Sequence, residues 1–109
     1  MWDLGIKMSF ATDSGVANTQ IDGLALSLEV VARYVGLPRL SVLSSATGLA
    51  AKALGIADRV GTLQRGKLAN ISLVAGDPLD SLLNLQDVEA VFLRGRQVVK
   101  DGRLLSSNE

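Results

Sequence analysis

Asp13 is the residue best placed to do chemistry, at the end of the run Phe10-Ala11-Thr12-Asp13-Ser14-Gly15. A carboxylate there can bind a hard or borderline cation and carry a proton. Asp-Ser-Gly is also common turn chemistry, with the aspartate capping the segment that follows. The residues alone leave both readings open. Ser14 could touch a substrate or act as a turn hydroxyl, and Thr47 could reach an interior or pack within a helix. Gly66-Lys67 lacks the Gly-x-x-x-x-Gly-Lys-(Ser/Thr) spacing of a phosphate loop and fits a hairpin instead. Lys52 and Arg59 are most simply solvated charges. The 109 residues include no histidine and no cysteine. A histidine triad, a histidine or cysteine metal site and a disulfide framework are therefore excluded within this chain.

Asp13 has to be positioned by the element before it. Residues 7–12 alternate as a short strand, with Met8, Phe10 and Thr12 on one side and Ser9 and Ala11 on the other. Residues 16–20 follow as loop. A helix is predicted from about residue 21 or 22 to 35. Asp22 suits its positive end, and Glu29 and Arg33 form an i,i+4 pair in the favourable order. Asp22, Glu29 and Arg33 make one narrow polar stripe. The rest is apolar, so this helix should be covered on more than one side. Gly36 and then Pro38 stop it. A second helix is predicted over 39–54, with Leu40, Leu43, Thr47, Ala50 and Leu54 along one face and Gly55 as its terminator. Beyond it, glycines punctuate candidate strands at 71–75, 88–93 and 97–100. Arg94-Gly95-Arg96 forms a tight turn between the last two. Asp77-Pro78-Leu79-Asp80 breaks the chain, residues 80–85 form a helical turn, and the tail from 104 to 109 frays.

Eleven basic and eleven acidic residues cancel, hydrophobic residues make up 48%, aromatics 4%, and mean hydropathy is +0.30. One ordered domain is the natural size class. Balanced charge with few rings argues against nucleic-acid binding. No apolar run approaches the roughly 20 residues that span a bilayer. Met1-Trp2-Asp3-Leu4-Gly5 lacks the features of a signal peptide, which makes the cytoplasm the default location. One strand, two apolar helices and then a β meander is an odd order for an independent domain.

Two stretches explain that order when read together. The first is Phe10-Ala11-Thr12-Asp13-Ser14-Gly15. The second begins at Ala46-Thr47-Gly48-Leu49-Ala50-Ala51-Lys52-Ala53-Leu54-Gly55 and continues through Gly61-Thr62-Leu63-Gln64-Arg65-Gly66-Lys67-Leu68-Ala69-Asn70-Ile71 to Gly76-Asp77-Pro78. The pattern closely resembles the C-terminal end of the metal-dependent amidohydrolase superfamily, in its imidazolonepropionase-like and prolidase-like branch. The resemblance implies an α/β fold: a C-terminal fragment of a TIM-type (β/α)8 barrel, comprising its last strand plus two helices, followed by strands of a small β-sandwich. On that reading residues 1–57 end the barrel, 58–104 are the composite sandwich segment, and 105–109 are a frayed tail.

The resemblance also implies a function. The parent would hydrolyse a C–N bond in an amide, cyclic amide or dipeptide-like substrate by metal-activated water. Asp13 would be both catalytic residue and metal ligand, at the mouth of the barrel. The implied cofactor is a divalent metal, zinc. The family's other ligands, a His-x-His pair, a lysine or glutamate and two further histidines, have no counterpart here. One aspartate falls short of the roughly three protein ligands of a catalytic zinc, so this chain alone is expected to hold no metal and to be inactive. Implied partners are a small amide-type substrate and the missing N-terminal barrel portion. Exposed apolar faces and strand edges also predict self-association; nucleic acid and membrane are not expected. The alternative is a non-catalytic structural or assembly module derived from an amidohydrolase. Asn70 replaces the family's usual aspartate, which is expected to remove a charge-assisted bond where the sandwich begins.

Overall fold

The computed structural model describes residues 2–15 and 20–106. Most of the predicted loop at 16–20 and the last three residues of the tail lie outside them. After a short 3-10 turn (Trp2–Leu4), three helices follow: α1 (Leu24–Val35), α2 (Arg39–Ala46) and α3 (Gly48–Ala53). Four strands come next: β1 (Ile71–Val74), β2 (Val88–Leu93), β3 (Arg96–Lys100) and β4 (Arg103–Leu104). They form one antiparallel sheet in the order β1-β2-β3-β4. A 3-10 turn over Leu82–Gln86 bridges β1 and β2. No helix among the described residues is long and apolar enough to cross a membrane.

Three predicted elements and the tail need correction. Residues 7–12 run without forming a strand. Their one backbone bond to a distant segment is Phe10 N–H to the Ser45 carbonyl, at 2.9 Å. A strand needs a neighbouring backbone to exchange bonds with, and none lies beside this stretch among the described residues. The first helix starts at Leu24 because the Gly23 N–H is taken by the Gln20 carbonyl in a preceding turn. The second is broken at Thr47 (φ −124°, ψ −93°) into α2 and α3. The tail is paired further than expected, since β4 joins β3 and Leu105 N–H donates to the Val98 carbonyl.

Local chemistry explains the other boundaries. Gly36 closes α1 in the left-handed region (φ 74°). Gly55 (φ 72°) closes α3, with the Ile56 N–H reaching back to the Ala51 carbonyl and the Gly55 N–H to that of Lys52, the Schellman pattern. Two hairpins use two-residue turns with both residues at positive φ: Arg94-Gly95 (52° and 81°) and Asp101-Gly102 (50° and 69°). Such turns match the twist of antiparallel strands.

The core is small. Leu28 and Ala32 of α1, Val42 of α2 and Leu82 of the 3-10 turn form its buried cluster, with Phe10, Leu43 and Leu85 packed around it. The helices and the 3-10 turn between β1 and β2 therefore share one core. The accessible surface is 8004 Å², against roughly 5,800 Å² for a compact monomer of this mass. The radius of gyration is 14.8 Å, where about 13 Å is usual. Leu26, Val30 and Tyr34 lie exposed on the outer side of α1, so the predicted all-round apolar helix is covered on one side only.

Candidate functional site

Asp13 follows the extended stretch 6–12, which is anchored by the Phe10 side chain on the core and by the Phe10–Ser45 bond. Ser45 is itself buried and donates its hydroxyl to the Val42 carbonyl at 2.6 Å. The anchor is thus built on the last turn of α2. Asp13 adopts φ 50°, a left-handed conformation that aspartate tolerates, and Ser14 and Gly15 complete the turn. All three are exposed. The Asp13 carboxylate makes no hydrogen bond or ion pair among the described residues. It is an exposed carboxylate at the end of an anchored segment.

The other candidates are placed apart from it. Thr47 donates its hydroxyl to the Leu43 carbonyl at 2.8 Å, a back-bond at the break between α2 and α3. Lys67 Nζ donates to Thr62 Oγ1 at 2.7 Å, and that hydroxyl donates to Gln64 Oε1 at 2.9 Å. Lys52 and Arg59 are exposed. Asn70 was expected to have lost a charge-assisted bond, yet it makes a bond at this place, with a neutral acceptor. Its Oδ1 accepts the Arg94 N–H at 2.9 Å, and the Gly95 N–H donates to the Ala69 carbonyl at 3.0 Å. The residue that opens the sheet thereby ties down the β2–β3 turn. Asn70→Asp should strengthen that acceptor and stabilise the fold by about 0.5 kcal/mol, less than a buried charged bond because the site is exposed. Chemical denaturation of the two proteins side by side tests this, and an unchanged or lower midpoint refutes it.

The most densely bonded polar group is one the sequence reading placed on a polar stripe. Glu29 is 3% exposed. Its carboxylate accepts from Arg33 Nε at 2.8 Å, from Arg39 Nε at 3.1 Å and Nη2 at 2.7 Å, and from the Leu82 N–H at 2.8 Å. Hydrogen bonds from Arg39 first, then from Arg33 and the Leu82 amide, hold its pKa far below the ordinary carboxylate range despite burial. The visible signal was a glutamate inside an apolar helix with one arginine a turn later and another just past the Gly36–Pro38 break. This is a structural clamp: every oxygen is spoken for.

A groove of about 610 Å³ runs between α2, α3 and β1, lined mostly by aliphatic side chains such as Leu43, Leu54, Val60 and Leu85. Asp13 is not part of it. No three His, Cys, Asp or Glu side chains cluster in metal-binding distance among the described residues. A lone exposed Asp13 does not by itself make the coordination shell of a catalytic metal.

The sequence profile of the Amidohydrolase family matches residues 1–98. Imidazolonepropionase from Mesorhizobium japonicum is 38% identical over 69 residues, covering 63% of this chain and 17% of that protein. Among solved structures, a Xaa-Pro dipeptidase with bound methionine in its active site is 32% identical, with a TM-score of 0.76 over 88% of this chain and 23% of the other. A protein from Bifidobacterium longum described as a candidate prolidase is 26% identical, with a TM-score of 0.83 over 98% of this chain and 26% of its own. The chain thus spans about a quarter or less of the length of these relatives.

Proposed function

Since this chain belongs to the amidohydrolase family of hydrolases, in its imidazolonepropionase and prolidase branch, we propose that it is the C-terminal part of a metal-dependent enzyme cleaving C–N bonds. The substrate class would be a small amide, a cyclic amide or a dipeptide-like molecule. Residues 1–57 would complete a (β/α)8 barrel and 58–104 a composite β-sandwich, with the tail beyond. The carrying observation is the excess exposure, a surface more than a third larger than a compact chain would show, with large apolar side chains exposed along α1 and through the loops and strands. A barrel and a sandwich begun by another segment would cover those faces and give residues 7–12 the strand neighbours they lack. A cytoplasmic location goes with this reading.

Asp13 is the residue of this chain assigned to the active site. Its exposed carboxylate, at the end of an anchored segment, suits a ligand to a divalent metal, zinc in this proposal, and an acceptor of a proton. The residues present do not fit a complete metal site, so Asp13's part is confined to those two capacities. A second reading, a non-catalytic structural or assembly module, is favoured for the chain by itself because no cluster of metal-binding side chains joins Asp13 among the described residues.

Zinc titration of the 109-residue chain, paired with hydrolysis assays on Xaa-Pro dipeptides and cyclic amides, tests the inactivity of the isolated chain. Neither stoichiometric sub-micromolar binding nor turnover above background is expected; observing both refutes it. The upstream reading frame tests the parent enzyme. It should encode a His-x-His pair, and in that longer product Asp13→Asn should lower turnover by at least about a hundredfold. Full activity in the variant would remove Asp13 from the site.

A further inference from the structure

We propose that Phe10 is a positioning residue for the Asp13 carboxylate, a role that rests on the hydrolase reading of Asp13. Phe10 sets how far that carboxylate stands from the helices.

From Met8 to Asp13, half-buried and exposed residues alternate. Met8, Phe10 and Thr12 are half-buried, and Ser9, Ala11 and Asp13 are exposed. An extended chain turns successive side chains to opposite faces. One face of this segment is therefore partly covered, and the other, which leads to Asp13, is open. On the covered face Phe10 packs against the buried cluster of Leu28, Ala32, Val42 and Leu82, and its N–H donates to the Ser45 carbonyl at 2.9 Å. Among the described residues that is the only backbone bond from residues 5–15 to another segment. Asp13 lies three residues further on, within about 10 Å of extended chain. The next element among the described residues is α1, starting at Leu24, so Phe10 is the nearer fixed point.

The two ties act in different directions. In a barrel, hydrogen bonds hold a strand to its neighbours within the sheet. Outward side chains hold the sheet against its layer of helices. A neighbouring strand can take over the Phe10 N–H, and the aromatic side chain then remains the tie to the core of α1 and α2. Truncating it leaves space into which the segment shifts. A displacement of about 1 Å at a reacting group costs on the order of a hundredfold in rate, so a half-buried ring three residues away has leverage on the carboxylate.

Two measurements test this role. In the 109-residue chain, the amide order parameter of Asp13 should exceed about 0.6 in the wild type, fall below that in Phe10→Ala and recover in Phe10→Leu. Val42 in α2 should stay near the rigid value of about 0.85 throughout. A wild-type Asp13 already in the flexible range, or one equally ordered in Phe10→Ala, overturns the proposal. If Phe10→Ala does not fold, the wild-type value and Phe10→Leu decide. In the longer product of the upstream reading frame, Phe10→Ala should lower kcat per folded molecule at least about tenfold with KM within about twofold. Phe10→Leu, which still fills the contact, should recover most of that loss. Full kcat in Phe10→Ala beside an inactive Asp13→Asn overturns the role of Phe10 alone. Full activity in Asp13→Asn overturns the hydrolase reading beneath it.

Discussion

Glu29→Gln is expected to lower the thermal midpoint at neutral pH by on the order of 5–10 °C and to flatten its dependence on acid. The Glu29 carboxylate joins the middle of α1, the start of α2 and the 3-10 turn before β2 through four hydrogen bonds. Glutamine fits the space but offers one neutral acceptor, and its amide presents hydrogens to two guanidinium groups. Arg33 and Arg39 keep side-chain exposures of 64% and 31%, so once released they can turn to water. That relief keeps the loss below that of a fully buried pair. The pH sign follows from the direction of the shift. Because the folded state holds the Glu29 pKa below its unfolded value, its contribution is present in full above the usual glutamate pKa of about 4.3 and fades as pH falls below it. Wild-type midpoints should therefore drop steeply on acidification below about pH 4, and those of the variant less steeply. Equal slopes, or a neutral-pH midpoint within about 2 °C of wild type, would show that the clamp contributes little. Asp80, which adds favourable charge near Arg39, should not replace it.

The second large effect belongs to Gly61. Its φ is 99°, and a Cβ there would lie 2.5 Å from the Ala51 Cβ, 3.1 Å from the Thr47 carbonyl oxygen and 3.3 Å from the Gly48 Cα. The break at Thr47 and the alanine-rich α3 let the loop backbone come this close. Gly61→Ala should destabilise the chain by about 2–4 kcal/mol, combining left-handed strain with overpacking against a backbone that cannot yield. Gly66→Ala is the control. Gly66 has a comparable φ of 91° with nothing within 4 Å, so it should report the conformational cost alone, about 1 kcal/mol. Urea unfolding of both variants separates the two contributions. Similar losses for the two would mean that the close approach at Gly61 relaxes freely.

Much of the local structure was legible because local rules govern it. Val88–Leu93 and its neighbouring strands stand where β-branched runs end in glycine turns, and Gly36 and Gly55 stop their helices as left-handed caps do. The errors fell where a distant group intervened. Residues 7–12 alternate as a strand should, yet alternation cannot supply a neighbour to bond with. The single helix expected over 39–54 breaks at Thr47, where Gly61 packs in. Glu29 and Arg33 were visible as a pair four residues apart, but Arg39 and the Leu82 amide reach the same carboxylate only after the chain has folded back.

Residue order by itself determined α1, the first three strands of the sheet and their turns, the terminating glycines, the family, and Asp13 as the carboxylate at the end of its segment. These depend on side-chain type and on spacing of a few residues. Tertiary structure alone decided that Glu29 is buried and that the helices share a core with the 3-10 turn before β2. It also decided that, among the described residues, the outer face of α1 and the edge of β1 stand open. Burial and open edges are properties of what packs against a segment, and hydrophobic and hydrogen-bonding groups carry no local mark of which partner will cover them.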